Sequence, residues 1–146
     1  MSRRSFIGNG LDYKLEEQVG FALRVAQQRH TTLFAEMMIE ALTPTQWAAL
    51  AKLAECGAQS QNQLGRLIAM DAATIKGVID RLTTRGFTLT RPDPADSRRL
   101  LVDLAEAGGA IYARAAPIAR EITARTLAPL DESERATLIA LLRRIA

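Results

Sequence analysis

Cysteine and histidine are nearly missing from this chain: Cys56 and His30 stand alone among 146 residues. A single cysteine excludes an internal disulfide and suits a reducing compartment, so the cytoplasm is the expected location. A histidine without companions excludes the His/Cys clusters that hold zinc. The chain has no glycine-rich phosphate loop and no recognisable nucleophile beside a base, and its carboxylates are scattered along solvated helical patterns. Catalysis is therefore not expected, and neither a metal nor a cofactor is implied. No apolar run approaches the roughly 18 residues of a membrane span, and nothing resembles a signal peptide, so no membrane partner is expected. The net charge of +3 is too small to argue for a nucleic-acid partner by itself.

What is present is ordinary for one globular domain: a one-domain length with 48% hydrophobic residues. No linker or repeat divides it. Residues 11–41 contain no proline and one internal glycine, Gly20, and they read as a long first helix. Leu15, Val19, Ala22, Ala26, Leu33 and Met37 trace its apolar stripe, which Phe21, Val25, Phe34 and Met38 widen. A helix of that length would extend roughly 45 Å, more than so small a domain needs, and a second subunit is its natural partner. Thr43-Pro44-Thr45-Gln46 is a capping box with proline at the first helical position, opening a helix that Gly57 stops after Cys56. The same pattern at Ser60-Gln61-Asn62-Gln63 opens a short helix through Met70, and Asp71 caps the next, which Gly86 ends. Two further helices are expected, over residues 106–127 with a kink at Pro117, and over residues 131–145. Leu138, Leu141, Leu142 and Ile145 form the apolar stripe of the last, and Arg143 and Arg144 suit its C-terminal end.

The most informative stretch is residues 60–104. Ile75, Val78, Ile79 and Leu82 fall at i, i+3, i+4 and i+7, one face of a helix whose other face holds Ala72, Ala73, Lys76, Gly77 and Asp80. Small residues at the start of that face let the helix approach another surface closely. Phe87 to Thr90 and Leu100 to Leu104 alternate with period two around a turn containing Pro92, Asp93, Pro94, Asp96, Arg98 and Arg99. Residues 76–99 hold six basic side chains (Lys76, Arg81, Arg85, Arg91, Arg98, Arg99) against Asp80, Asp93 and Asp96. That window carries the whole excess of positive charge, as a nucleic-acid footprint would.

A helix pair followed by an Arg-tipped hairpin is the layout of a winged helix-turn-helix. Asp96, Arg98 and Arg99 followed by the strand Leu100 to Leu104 resemble the wing of the MarR family of bacterial transcriptional regulators. The resemblance extends from Leu42-Thr43-Pro44-Thr45-Gln46-Trp47 to Gly108, with Ala105 where the family has a threonine; Asp103 is the candidate substitute cap. It implies a mainly α fold with a small β-hairpin: a winged helix-turn-helix over residues 43–104, with dimerisation helices at 11–41 and 106–146. It further implies a homodimer on double-stranded operator DNA, acting as a repressor. The second helix of the pair would enter the major groove and the wing arginine the minor groove. The DNA contacts expected on that basis are Ser60, Gln61, Ala72, Ala73, Thr74, Lys76, Arg81, Arg85, Asp96, Arg98 and Arg99. The family often has threonine and arginine at the positions of Lys76 and Gly77; glycine cannot make the bidentate guanine contact of arginine, so Lys76 and the wing are expected to carry specificity.

MarR-like regulators commonly bind aromatic acids or phenols between the first helix and the DNA-binding lobe. Arg24, Gln27 and His30 recur at three-residue spacing along that helix. They are candidates to hold a carboxylate and a ring hydroxyl, with Phe34, Met38 and Trp47 as an apolar wall. A solvated polar edge explains the same residues equally well. Two other readings stand beside the main one. One is a redox-controlled DNA binder acting through Cys56, against which an inert, partly buried thiol is expected; the other is a winged-helix protein-interaction module with no DNA site.

Overall fold

The computed structural model describes residues 12–146. The polar arm with Arg3 and Arg4 and the first residue of the expected first helix lie outside them. Six α-helices and one hairpin follow in order: α1 Val19–Met37, α2 Pro44–Cys56, α3 Gln61–Leu67, α4 Ala72–Thr84, β1 Thr88–Pro92, β2 Leu100–Leu104, α5 Glu106–Thr126 and α6 Glu132–Ile145. The expected class is what is observed, mainly α with a two-stranded antiparallel hairpin.

Local chemistry explains most boundaries. The Thr43 hydroxyl accepts from the Gln46 N–H at 3.2 Å while the Gln46 side chain accepts from the Thr43 N–H at 3.2 Å. Asp131 and Glu134 make the same reciprocal pair at the start of α6. Asp71 accepts from the Thr74 N–H at 2.7 Å, and this bond holds its carboxyl below the ordinary carboxylate range. Gly86, at φ +77°, turns the chain out of α4. At α3 only half the box forms: Ser60 caps Gln63, but the Gln63 side chain accepts from Arg66 instead. That helix also ends three residues earlier than expected, because Ala69 adopts φ +56° and the Met70 N–H donates to the Gly65 carbonyl at 2.8 Å. Asp103 does not cap α5; it bonds the Leu104 N–H and Arg91, and Ala105 stands as a cap without a side-chain bond.

The first helix is shorter than its composition suggests. A 3-10 turn at Leu15–Glu17 is separated from α1 by the extended Gln18, and α1 stops at Met37 after 19 residues, roughly 28 Å. Neither break involves proline or glycine. After α1 the chain turns on Glu40 and Ala41, both with positive φ (56° and 50°), a strained conformation for residues with a Cβ. Tertiary contacts hold that turn: Arg85 donates to the Glu40 carbonyl, and Arg114 lies 3.6 Å from its carboxylate.

One continuous core joins the elements. Leu50, Leu53, Leu64, Ile75, Val78, Ile79, Leu82 and Val102 pack the helix pair against α2 and the hairpin; Phe34, Met38, Leu42, Ile111, Ala115 and Ile122 continue it between α1 and α5. The hairpin pairs Thr88 with Leu104 through Pro92 with Leu100. A bridge between Gln59 and Val102 (3.0 and 2.7 Å) fastens the segment before α3 to it. In contrast, α6 buries none of its residues.

The first turn of α5 rides directly on the chain leaving α4. A Cβ at Gly108 would lie 1.9 Å from the Phe87 carbonyl oxygen, a backbone atom that already accepts the Ala105 N–H. Gly108→Ala is therefore expected to destabilise the fold by about 1–3 kcal/mol, as overpacking does. Gly109→Ala, with nothing within 4 Å of its added Cβ, is expected to stabilise by roughly 0.5–1 kcal/mol. Urea unfolding of the two variants checks the contrast; equal stabilities would contradict it.

Candidate nucleic-acid interface

The helix-turn-helix pair α3 and α4 turns its apolar residues inward and leaves Ala72, Ala73, Thr74, Lys76, Asp80 and Arg81 exposed along the outer side of α4. Thr74 takes part in the N-terminal cap of that helix through its backbone. Lys76 is not free on this surface: its ammonium lies 2.7 Å from the Asp80 carboxylate, one turn along. Exposed pairs of this kind contribute only about 0.3–0.5 kcal/mol, so a phosphate can compete for the lysine. The Arg81 guanidinium folds back over Gly77, with Nη1 3.1 Å from where a Cβ would stand.

The wing is built by its own acids. Asp93 and Arg99 close the turn through a 2.8 Å backbone bond, and the Asp93 carboxylate accepts from the Ala95 N–H. Asp96 accepts from the Arg98 backbone N–H and Nε, both at 3.1 Å. Those bonds to Arg98, the side-chain one first, hold the Asp96 carboxyl below its usual range. The ordering they provide is therefore present above the ordinary aspartate pKa and is lost as pH falls through the depressed one. The Arg98 side chain remains 90% exposed despite the pair. Arg99 reaches back to the Ser60 hydroxyl at 3.3 Å, tying the wing to the start of α3, where Gln61 is the first helical residue. Arg91 pairs with Asp103 across the hairpin at 3.3 Å.

Arg85 is drawn away from the other expected contacts. It donates to the Glu40 carbonyl and stacks over Phe87 at 4.7 Å, so it fastens the end of α4 to the turn after α1.

The six residues expected to form one ligand site are dispersed. Gln27 and His30 do share a groove of about 460 Å³ between α1, the end of α5 and α6, together with Leu23, Thr126, Leu138 and Leu142. His30 Nδ1 lies 2.9 Å from the Thr126 hydroxyl. Arg24 stands over the Phe21 ring at 5.3 Å and does not line the groove. Phe34 and Met38 are core residues, because α5 closes over them. Trp47 stacks on Tyr112 at 5.5 Å in a separate groove between α2 and α5. Reading the sequence also missed Arg29, whose guanidinium donates to the Arg125 and Thr126 carbonyls at the end of α5. A helix C-terminus almost 100 residues downstream leaves no local signal, although a basic residue there suits its dipole. Gln59 and Tyr112 were missed for the same reason. Cys56 is exposed at the end of α2 rather than partly buried.

Among the described residues no helix is long and apolar enough to cross a membrane, and no group of three or more metal-binding side chains occurs.

Comparison with known proteins places these features in context. Residues 42–100 match the family model described as the MarR family. The HTH-type transcriptional repressor NicR of Pseudomonas putida is 38% identical over 134 residues, covering 91% of this chain and 85% of that protein. The crystal structure of a probable transcriptional regulator from Pseudomonas aeruginosa is 53% identical, covers 91% of this chain and 100% of its own, and superposes with a TM-score of 0.88. BpsR of Bordetella bronchiseptica, whose DNA binding is regulated by 6-hydroxynicotinic acid, is 38% identical with a TM-score of 0.86, covering 91% and 96% of the two chains.

Proposed function

The chain belongs to the MarR family of transcriptional regulators, and on that premise we propose that it binds a pseudo-palindromic operator as a homodimer, represses a nearby gene and is released by a small aromatic acid. The observation that carries the DNA reading is the wing: Asp96 builds a turn from which Arg98 projects almost fully exposed, beside a helix pair whose outer face is small and basic. A phosphate or minor-groove contact is the work such a side chain is suited to, whereas a protein-interaction module would have no use for the local positive excess. In a symmetric dimer the two α4 helices would meet major grooves about 34 Å apart, or a multiple of that. An electrophoretic shift with promoter DNA from its own neighbourhood tests the reading. Its absence at low salt would favour the protein-interaction alternative.

The likeness to NicR and BpsR, together with the groove at His30, supports the reading of repression and release. In that groove His30 and Gln27 supply hydrogen-bonding groups against an apolar wall of Leu23, Leu138 and Leu142, a fitting lining for a hydroxylated aromatic ring. Arg24, about one turn along α1, would meet the carboxylate once it leaves the face of Phe21. A ligand lowers operator affinity only by its preference for the DNA-incompetent arrangement, so a 100-fold release needs about 2.7 kcal/mol of differential binding. Calorimetric titration with hydroxynicotinic and hydroxybenzoic acids is expected to show binding that Arg24→Ala weakens at least tenfold, with operator release in parallel. Unchanged affinity in Arg24→Ala removes that residue from the site, and no response to any aromatic acid removes the effector class. The exposed Cys56 has no second thiol in the chain with which to form an internal disulfide.

A further inference from the structure

Five of the six basic side chains in residues 76–99 already have a partner. Lys76 pairs with Asp80, Arg85 bonds the Glu40 carbonyl, Arg91 pairs with Asp103, Arg98 with Asp96, and Arg99 reaches Ser60. Arg81 is the exception within this window: among the described residues its guanidinium has no hydrogen-bonding or ion-pair partner. Its position is not random either. Taking 100° per residue, the outward midline of α4, opposite Ile75, Val78, Ile79 and Leu82, runs through Ala73 and Thr84, with Gly77 on one side of it and Asp80 on the other. Gly77 is nevertheless half-buried on this exposed face, because the Arg81 guanidinium lies across it with Nη1 3.1 Å from the site of the absent Cβ.

We propose that Arg81 is the base-reading arginine of this regulator, presented to guanine through the slot that Gly77 leaves open, while Lys76 serves as a phosphate contact held by Asp80. The proposal rests on the operator-binding reading above and assigns specificity within it. The guanidinium lies against Gly77 on the side that α4 would turn to the groove, and once swung outward its fork of two donors matches O6 and N7 of guanine. Glycine is what admits it: a larger side chain at 77 would push the guanidinium off that side, and Ala73 one turn earlier keeps the approach to the bases clear. Lys76, with a single ammonium tied along the helix to Asp80, offers charge but no fork.

The test takes duplexes selected by the wild-type dimer from a randomised pool, then measures affinity for every single-base-pair variant of the selected site. Wild type is expected to prefer G·C at one symmetric pair of positions by roughly 5- to 100-fold, the range of a good bidentate contact. Arg81→Ala and Arg81→Lys are expected to flatten that preference to within about twofold, with the lysine variant retaining charge and overall fold. Gly77→Ala is expected to raise the melting temperature, since alanine is the better helix residue, yet to reduce the preference several-fold. Lys76→Ala is expected to weaken all duplexes alike. A preference that survives in Arg81→Lys, or that vanishes in Lys76→Ala, would overturn the assignment. A preference undiminished in Gly77→Ala would overturn the part given to the slot. A wild-type protein that selects no sequence at all would instead bring down the operator reading on which the assignment depends.

Discussion

Raising salt from 50 to 200 mM is expected to lower operator affinity about 10³–10⁵-fold, the loss that follows when 6–10 phosphates are neutralised. The estimate comes from doubling one subunit's footprint. Each subunit offers Lys76, Arg98 and Arg99 beside the helix N-termini, at which backbone N–H groups also meet phosphate. Arg98→Ala is expected to reduce the slope of log affinity against log salt by about two per dimer, one for each wing. Arg85→Ala should leave the slope as it was, because its guanidinium is held by the Glu40 carbonyl and the Phe87 ring. Binding that ignores salt, or full affinity after Arg98→Ala, would refute the wing-and-helix interface.

The parts of this fold that short-range chemistry determines were readable from the chain. Capping boxes at Thr43 and Asp131, the cap at Asp71 and the left-handed Gly86 depend on residues three or four positions apart, and they form as their spacing implies. The end of α1 depends on nothing local. Its chain is compatible with a helix through Ala41, but Arg85 and Arg114, from α4 and α5, hold Glu40 in a turn. No periodicity argument reaches partners that distant.

The candidate sites divide along the same line. The wing was legible because Asp96 and Arg98 are two residues apart and make their bonds within the turn. The ligand residues were not, since three-residue spacing gives the side of a helix but not what covers it. Phe34 and Met38 face α5 and vanish into the core, whereas Gln27 and His30 face the open groove beside Thr126. The Lys76–Asp80 pair and the Arg81–Gly77 contact each join residues four apart on one helix, so both were within reach of the sequence.

Removing residues 131–146 is expected to abolish the dimer and with it tight operator binding. The reason lies in what α6 fails to bury. Ile145 is 67% exposed, Leu141 49% and Ile139 37%, and α1 adds Val19 at 64% and Val25 at 46%. Leu141 and Ile145 lie on one side of α6, and apolar surface left in water costs roughly 25 cal/mol per Å², so a second copy of the same face would cover it isologously. Deletion leaves the α1 face without its neighbour, so the truncated chain should be monomeric or aggregate. Leu141→Glu isolates the interface from the fold, because the side chain is half exposed in the single subunit and a carboxylate is tolerated there. In a symmetric dimer the same change sets two uncompensated charges in a desolvated contact, a penalty of several kcal/mol that should raise the dimer Kd on the order of 10²–10⁴-fold. Sedimentation across a protein concentration series, with circular dichroism to confirm that helix content is kept, separates the outcomes. A folded dimer that survives the deletion, or a dimer of Leu141→Glu as tight as wild type, would place the interface elsewhere and leave the exposed stripe of α6 without the role given to it.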